Sequence, residues 1–467
     1  MALQLTFNMM TLGTLVILGL LVPSLAAPAL AQLPSLNYTQ SLTSEDFIHS
    51  LALPGFRFRR AKPLTSIPID RTVQNYIDLR RVPHDVRKPR RSAAALFGQV
   101  QRSSGGKGYE NVTAINHYAA EYAVQASFNG RQMDLVIDSG SADTWVIGPN
   151  FSCKGSLNQT VSDDICALGP AFAGNFTGGA IPNIHFAIKY GDGESVQGLL
   201  GKMDVEFAGV TVFDQEIAIA SQGTWHGNNV TSGILGLAYP SLTNAYWGDN
   251  IYDNSQFLSV PYSPLFTSMV TGGLTQPYWT IAMARNSSLG SVSIGGMPPV
   301  DISKSDHDQT PIIIADMIDR DSTSWKPSFY TIVPTAFQFG GITTGGHYPF
   351  ILDTATSLIY LPPDLAEMVN GKFDPPASYL WNYGAYFTSC DATPPSFGVQ
   401  IGETTFWVNP KDLLNKEERD PLTNLCQTGI ANGGTGPYIL GITFLTNVIA
   451  MMNIGSGNIE FWSHQFY

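Results

Sequence analysis

Two short segments of the chain place an aspartate at the end of an apolar run and follow it with small and hydroxyl-bearing residues. The first is 136–141, with the sequence VIDSGS, and the second is 351–356, with the sequence ILDTAT. Each segment is followed further along the chain by an Ile-Leu-Gly pattern, at 234–236 and at 439–441. The aspartate and the glycine are 98 residues apart in the first case and 88 in the second. This internal repeat predicts two similar lobes.

Two lobes related by a pseudo-twofold axis would bring Asp138 and Asp353 together. Two carboxylates at close range cannot both ionise easily, so they would share one proton. One could then act as a base on a bound water while the other, protonated, donates to a substrate carbonyl. The sequence therefore predicts a hydrolytic site that uses neither a metal nor another cofactor.

The residues that follow each aspartate have predicted supporting roles. The hydroxyls three positions after each aspartate are placed to hydrogen-bond its carboxylate, and those directly after it can cross-link the two turns. The small residues between them let the backbones approach closely. These supporting residues are Ser139, Gly140, Ser141, Thr354, Ala355 and Thr356.

Other interpretations of these residues are weaker. A lone Asp-Ser-Gly-Ser is usually a turn, and only its pairing with the second aspartate segment makes it a strong signal. The 8 histidines are scattered singly, without Cys-x-x-Cys or His-Glu-x-x-His spacing, which disfavours a metal site. No Gly-x-Ser-x-Gly elbow or cysteine nucleophile accompanies them, so serine and cysteine hydrolases are disfavoured as well.

The elements that must position the aspartates are predicted to be strands. Beyond residue 108, short alternating runs dominate, such as 122–128 and 133–137, which Asn129-Gly130 joins as a hairpin. Helical patterns are few, and the clearest are 363–370 and 410–414. We expect a mainly β body with occasional short helices.

Three further motifs carry a resemblance to a known family. Trp145 lies seven residues after Asp138, residues 190–193 read Tyr-Gly-Asp-Gly, and residues 233–240 read GILGLAYP. Together with the paired aspartates, they resemble the pepsin-like aspartic peptidases of the secreted fungal type, over nearly all of 115–467. The resemblance implies a mainly β, bilobal pepsin-like fold with an active-site cleft between its two pseudo-twofold-related lobes.

The resemblance also implies roles for individual residues. Tyr190 would close over the substrate as part of a flap and bond Trp145, while Gly191 and Asp192 would contact the substrate backbone. The implied activity is that of an acid endopeptidase on extended polypeptides. Pepsin itself is the standard example of a proton-sharing aspartate pair.

One departure from the family pattern leaves an alternative open. The second turn of the family is normally Asp-Thr-Gly, and Ala355 replaces the glycine here. A methyl group there would strain the turn if the backbone needs a positive φ. The alternative is a catalytically silent protein that keeps the fold for binding or inhibition, although the retained Tyr190 and both aspartates weigh against it.

The front of the chain has the features of a signal and a prosegment. An apolar stretch at 9–22, too short for the ~20 residues that span a bilayer, precedes small residues that end at Ala31, which predicts a secretory signal over 1–31. Residues 1–107 carry 13 Lys and Arg against 5 Asp and Glu, a balance of +8, and the rest carries 12 against 32, a balance of −20. We expect 32–107 to be a basic prosegment that inhibits the acidic body, with a disordered basic arm as the alternative.

The paired arginines at 59–60, 80–81 and 90–91 are candidate maturation sites, and the last precedes a Gly/Ser-rich stretch where cleavage is most accessible. The lobes are predicted at 108–284 and 285–467. The net charge of −12 argues against a nucleic-acid partner. We expect the mature protein to be a secreted monomer, in the medium or the vacuole, without a membrane anchor.

The cysteines and sequons fit secretion. The 4 cysteines allow three pairings, and their order along the chain favours Cys153 with Cys166 and Cys390 with Cys426. Seven Asn-x-Ser/Thr sequons predict glycosylation. They begin at Asn37, Asn111, Asn150, Asn158, Asn175, Asn229 and Asn286.

Overall fold

Strands dominate the computed structural model. It describes residues 56–60, 76–81, 111–115, 121–155, 157–191, 193–255, 258–284, 289–317, 326–381 and 383–464. All of these residues belong to one unit of the chain, Leu42–Tyr467. The predicted signal, 1–31, lies outside the described residues, as do most of 32–107 and Asp192.

The strands of the first half are β1 Phe56–Arg60, β2 Tyr76–Arg81, β3 Asn111–Ile115, β4 Glu121–Phe128, β5 Arg131–Asp138, β6 Thr144–Cys153, β7 Ala180–Lys189, β8 Ser195–Phe207, β9 Val210–Thr224, β10 Gly233–Gly236 and β11 Ala245–Trp247. Those of the middle of the chain are β12 Tyr278–Ala282, β13 Leu289–Ile294, β14 His307–Pro311, β15 Ile313–Met317, β16 Lys326–Ile332, β17 Ala336–Phe339, β18 Ile342–Gly345, β19 Phe350–Leu352 and β20 Ile359–Leu361. The last are β21 Ser378–Leu380, β22 Ala385–Thr388, β23 Phe397–Ile401, β24 Thr404–Val408, β25 Leu414–Arg419, β26 Cys426–Thr428, β27 Ile430–Asn432, β28 Tyr438–Leu440, β29 Val448–Asn453 and β30 Asn458–Ser463.

Helices in the described residues are short. They are α1 Asp163–Cys166, α2 Leu265–Thr271, α3 Pro363–Asn370 and α4 Ile442–Leu445, with 3-10 turns at Pro240–Leu242 and Pro410–Asp412. The helix predicted at 363–370 is present as α3. The prediction of a helix at 410–414 is wrong. Only one 3-10 turn forms there, and Leu414 then pairs with Thr428 as the first residue of β25.

The two halves of the body repeat the same strand pairing. In the first, β5 lies parallel to β10, with Val136 opposite Ile234, and β10 is antiparallel to β6. In the second, β19 lies parallel to β28, with Ile351 opposite Ile439, and β28 is antiparallel to β20. Each predicted aspartate segment is therefore held by the Ile-Leu-Gly pattern of its own half, which is the bilobal repeat that the sequence predicts.

The first aspartate strand is anchored by the predicted hairpin. Strands β4 and β5 are antiparallel, and they are joined by Asn129 and Gly130 with φ of 50° and 79°. Both residues are in the left-handed region that a tight hairpin requires, which an asparagine and a glycine tolerate best. Most residues of β4 and β5 are buried, so a one-residue slip of the pair would move buried side chains to more exposed positions, which disfavours other registers.

A 15-stranded sheet runs through both halves, in the order β11-β7-β8-β9-β6-β10-β5-β4-β3-β2-β13-β12-β29-β30-β14. Two described strands come from the predicted prosegment. Strand β2 lies between β3 and β13 in this sheet, and β1 pairs with β15 in a separate seven-stranded sheet. The arginine pairs 59–60 and 80–81 lie in these strands, and 90–91 lies outside the described residues.

Both predicted cysteine pairs form disulfides. Cys153 bonds Cys166, and Cys390 bonds Cys426, with Cα atoms 5.8 and 4.9 Å apart. The first ties β6 to α1, and the second ties the segment after β22 to the start of β26. None of the helices in the described ranges is long and apolar enough to cross a membrane.

Candidate active site

Both aspartates stand where a parallel strand ends. Asp138 is the last residue of β5 and is opposite Gly236 of β10, while Asp353 directly follows β19. The main chain holds both turns, since Leu237 N donates to Asp138 O at 2.8 Å and Asp353 N donates to Leu440 O at 3.3 Å. The position of each carboxylate is thus set by its strand pairing.

Four hydrogen bonds join the two turns reciprocally. Ser139 N donates to Thr354 Oγ1 at 2.9 Å, and Thr354 N donates to Ser139 Oγ at 3.0 Å. Each hydroxyl also donates across to the strand of the other half, Ser139 Oγ to Leu352 O and Thr354 Oγ1 to Ile137 O, both at 2.8 Å. Ser139 and Thr354 are both fully buried, so these bonds are shielded from competing water.

The carboxylates accept the same pair of hydrogen bonds in each turn. Asp138 accepts from Gly140 N at 2.7 Å and from the Ser141 hydroxyl through a short contact. The equivalent donors to Asp353 are Ala355 N at 2.9 Å and Thr356 Oγ1 at 2.7 Å. These bonds fix both side chains, and they leave each carboxylate with further acceptor capacity for a ligand.

The second carboxylate lies directly against the first turn. A Cβ added to Gly140 would be 2.7 Å from Asp353 Oδ2 and 2.8 Å from its Cγ, closer than real contacts allow. Gly140 is therefore required for steric reasons. Ala355 has no positive φ, so its methyl group does not strain the backbone of the second turn.

The environment of Asp138 favours its protonated form. Only 4% of the residue is exposed. Burial and, second, the nearby Asp353 carboxylate raise the pKa of Asp138 to about 7, against the opposing hydrogen bonds from Ser141 and Gly140. Two carboxyl groups in this arrangement can hold a shared proton in acid.

A hairpin tip with a tyrosine lies beside the first aspartate. Strands β7 and β8 pair up to Lys189 and Ser195, and Tyr190 begins the turn between them. Trp145 Nε1 donates to the Tyr190 hydroxyl at 2.9 Å. Burial, with the Asp138 charge as the second cause, raises the pKa of Tyr190 well above its ordinary value. Gly191 lies at this tip, and Asp192 is outside the described residues.

Trp225 completes this aromatic group and was missed by the sequence analysis. Its ring packs edge-on against Trp145 and Tyr190, with centroids 5.1 and 5.5 Å apart. The residue directly follows β9, and β9 lies parallel to β6, the strand that carries Trp145. Only this long-range pairing brings the three rings together, and no local pattern signals it.

Asp143 is a second buried acid that the sequence analysis did not single out. It is 0% exposed and accepts hydrogen bonds from Asn244 N at 2.9 Å, Asn244 Nδ2 at 2.8 Å and Tyr262 OH at 2.7 Å. Burial is the largest cause that raises the pKa of Asp143 to about 6. Its partners are 101 and 119 residues away along the chain, so the motif around Asp138 could not reveal them.

Metal ligands and glycosylation sequons are the other kinds of site considered. In the part of the chain that the structure describes, no group of three or more His, Cys, Asp or Glu could hold a metal ion. Four sequon asparagines are exposed, which are Asn150, Asn158, Asn175 and Asn229. Asn111 begins β3, and Asn37 and Asn286 fall outside the described residues.

We expect Thr354→Val to destabilise the fold. The change keeps the shape of the side chain but leaves Ser139 N and Ile137 O without their partners in a buried place, at a cost of about 3 kcal/mol. Urea unfolding at pH 4 should show a lower midpoint. Thr343→Val, at an exposed threonine of β18, is the matched control, and equal midpoints for the two variants would contradict this interpretation.

We expect Asp143→Asn to make the stability less dependent on pH. Since the folded-state pKa of Asp143 is raised from 3.8 to about 6, the buried group stabilises the fold in acid and this contribution is lost as the pH rises through 6. The loss is of the order of 2 kcal/mol. The difference in melting temperature between pH 4 and pH 8 should shrink in Asp143→Asn but not in Asp249→Asn, an exposed control, and an unchanged difference would count against it.

Comparisons with known proteins identify the family of the chain. The family model described as eukaryotic aspartyl protease matches residues 118–463. A probable aspartic-type endopeptidase of Aspergillus fumigatus is 34% identical over 388 residues, covering 79% of this chain and 83% of the relative. Aspergillopepsin-1 of Aspergillus clavatus is 29% identical over 335 residues, covering 70% and 74%.

A solved structure shows a similar fold. The crystal structure of the aspartic proteinase from Irpex lacteus aligns with a TM-score of 0.56 at 17% identity, covering 76% of this chain and 97% of that one. The family match spans most of the chain, and the Aspergillus fumigatus relative supports it at the level of sequence. The chain therefore belongs to the eukaryotic aspartyl protease family, the pepsin-like aspartic peptidases, and is an aspartic-type endopeptidase.

Proposed function

We propose that the protein hydrolyses peptide bonds at acid pH with a water molecule that the Asp138 and Asp353 pair activates. The observation that carries the proposal is the reciprocal linkage of the two turns, with Asp353 directly against Gly140 and the same hydrogen bonds to each carboxylate. Such an arrangement suits one shared proton better than two separate charges.

The proposed reaction uses the pair as one acid and one base. The base takes a proton from water, whose oxygen bonds the carbonyl carbon, while the acid donates its proton to the carbonyl oxygen. In the next step the carboxyl group that took the proton from water gives it to the amide nitrogen and the C–N bond breaks. The other carboxylate takes a proton from a hydroxyl of the tetrahedral carbon, so that the carboxylic acid product forms and the pair again holds one proton. The raised pKa of Asp138 supports this account, because it keeps a proton available throughout the acid range.

The Tyr190 hairpin is the proposed flap over an extended polypeptide. Its hydrogen bond from Trp145 and its contact with Trp225 hold the ring beside Asp138. Gly191 and Asp192 would then contact the substrate backbone, as an added strand pairs with the edge of a sheet. The silent alternative has little support, since Ala355 has no positive φ and its backbone N–H still donates to Asp353.

We also propose that the protein is secreted as a zymogen, with a signal at 1–31, a prosegment at 32–107, and lobes at 108–284 and 285–467. The opposite charges of front and body support an intramolecular inhibitor, and two disulfides fit an oxidising compartment. Cleavage at 90–91 is favoured over the other arginine pairs because those residues are engaged in strands β1 and β2. The mature enzyme would be a glycosylated monomer of the medium or the vacuole.

Asp138→Asn and Asp353→Asn should each lower kcat/KM by at least about a thousandfold, because either change removes the shared acid and base. Cleavage of denatured globin by the matured protein at pH 3.5, with and without a statine-type transition-state analogue, measures this loss. Asp249→Asn is the exposed control, and the melting temperature at pH 4 checks that the fold is intact. A rate that rises steadily up to pH 8, or an active Asn variant, would rule out the pair mechanism.

A further inference from the structure

The two catalytic turns match in their hydrogen bonds but differ in the residue at their centre. Gly140 occupies this place in the first turn and Ala355 in the second. A Cβ at Gly140 would be 2.7 to 2.9 Å from the three carboxyl atoms of Asp353. By the pseudo-twofold that relates the turns, the methyl group of Ala355 would be directed toward Asp138.

The two carboxylates also differ in burial. Asp138 is buried, with 4% of the residue exposed, whereas Asp353, which lies against Gly140, is half-buried. Ala355 itself packs against an apolar cluster of the first half that includes Val136 and Trp145. In this place the methyl group would close part of the space beside the first carboxylate that a glycine would leave open to water.

We propose that Ala355 is a positioning residue whose methyl group keeps water away from the Asp138 carboxylate and thereby extends the activity of the pair toward neutral pH. The inference rests on the proposed function. Its physical basis is that removing water disfavours the charged form of a carboxyl group, so the pair keeps its last proton to a higher pH. A glycine at this position would let water approach the Asp138 carboxylate, and the upper pH limit of activity would then be lower.

Other groups around Asp138 stay the same when Ala355 is changed. Asp353 faces it from the second turn, Tyr190 from the flap hairpin, and Ser141 donates to it from its own turn. Asp143 lies further along the same segment and interacts with Tyr190. Of the causes that raise the pKa of Asp138, burial is larger than the Asp353 charge, so a change in burial alone should be measurable.

The test is the pH dependence of kcat/KM for the matured wild type, Ala355→Gly and Ala377→Gly. Ala377 is also a partly buried alanine, but it packs on a different core cluster from Ala355, and its backbone N donates to Asn370 O. In Ala355→Gly we expect the upper apparent pKa to fall by about half a unit or more, so that activity above this limit drops roughly threefold relative to the acid plateau. Ala377→Gly should keep the wild-type profile.

A second readout does not depend on turnover. The affinity for a statine-type analogue, measured by titration between pH 3 and pH 7.5, should weaken at a lower pH in Ala355→Gly than in the wild type. An upper limit that stays in place or rises in Ala355→Gly, while melting temperature alone falls, would show a merely structural role and overturn the inference.

The Asn variants separate this failure from failure of the proposed function. If Asp138→Asn and Asp353→Asn are inactive while Ala355→Gly has the wild-type profile, only the inference about Ala355 is wrong. If either Asn variant keeps wild-type activity, or if inhibitor-sensitive cleavage is absent from matured wild type, the proposed function and the inference both fail.

Discussion

The geometry of the site depends on the reciprocal hydrogen bonds between Ser139 and Thr354. A hydroxyl can donate and accept at once, so each of these side chains accepts from the backbone of the other turn and donates to the strand of the other half. Two residues that are 215 positions apart in the chain thus hold each other in place, and neither is accessible to water. Once the turns are joined, the strand pairings of β5 and β19 orient the two carboxylates toward each other.

Burial strengthens these hydrogen bonds, but it also disfavours the ionised form of buried carboxyl groups. Protonation in acid removes this energetic cost. Asp138, Asp143 and Asp134 all have pKa values raised to about 6 or 7, chiefly because burial disfavours their charged forms. Each of them stabilises the fold when protonated and loses this contribution as the pH rises through its raised pKa. Repulsion within the strongly acidic body has the same pH dependence, since its negative charge becomes smaller in magnitude as carboxyl groups are protonated. Stability and the chemistry of the pair therefore favour the same pH range.

Local patterns were sufficient for the parts of the site that are built from neighbouring residues. The two aspartate turns, the hairpin at Asn129-Gly130 and helix Pro363–Asn370 each follow from spacing and turn chemistry within a few residues. The partners of Asp143 and the packing of Trp225 are set by tertiary contacts, so periodicity could not predict them. The wrongly predicted helix at 410–414 has the same origin.

Ala355 is a position at which the sequence and the structure give different information. The sequence identifies a missing glycine, but whether the substitution matters depends on the φ of that residue and on the space that its Cβ occupies. The backbone there does not need a glycine, whereas at Gly140 a Cβ would collide with Asp353. The two positions are equivalent by symmetry and unequal in tolerance, so the turns can be alike in hydrogen bonding and different in hydration. The two carboxyl groups of such a pair can therefore differ in their environment, and in our proposal one methyl group makes the difference.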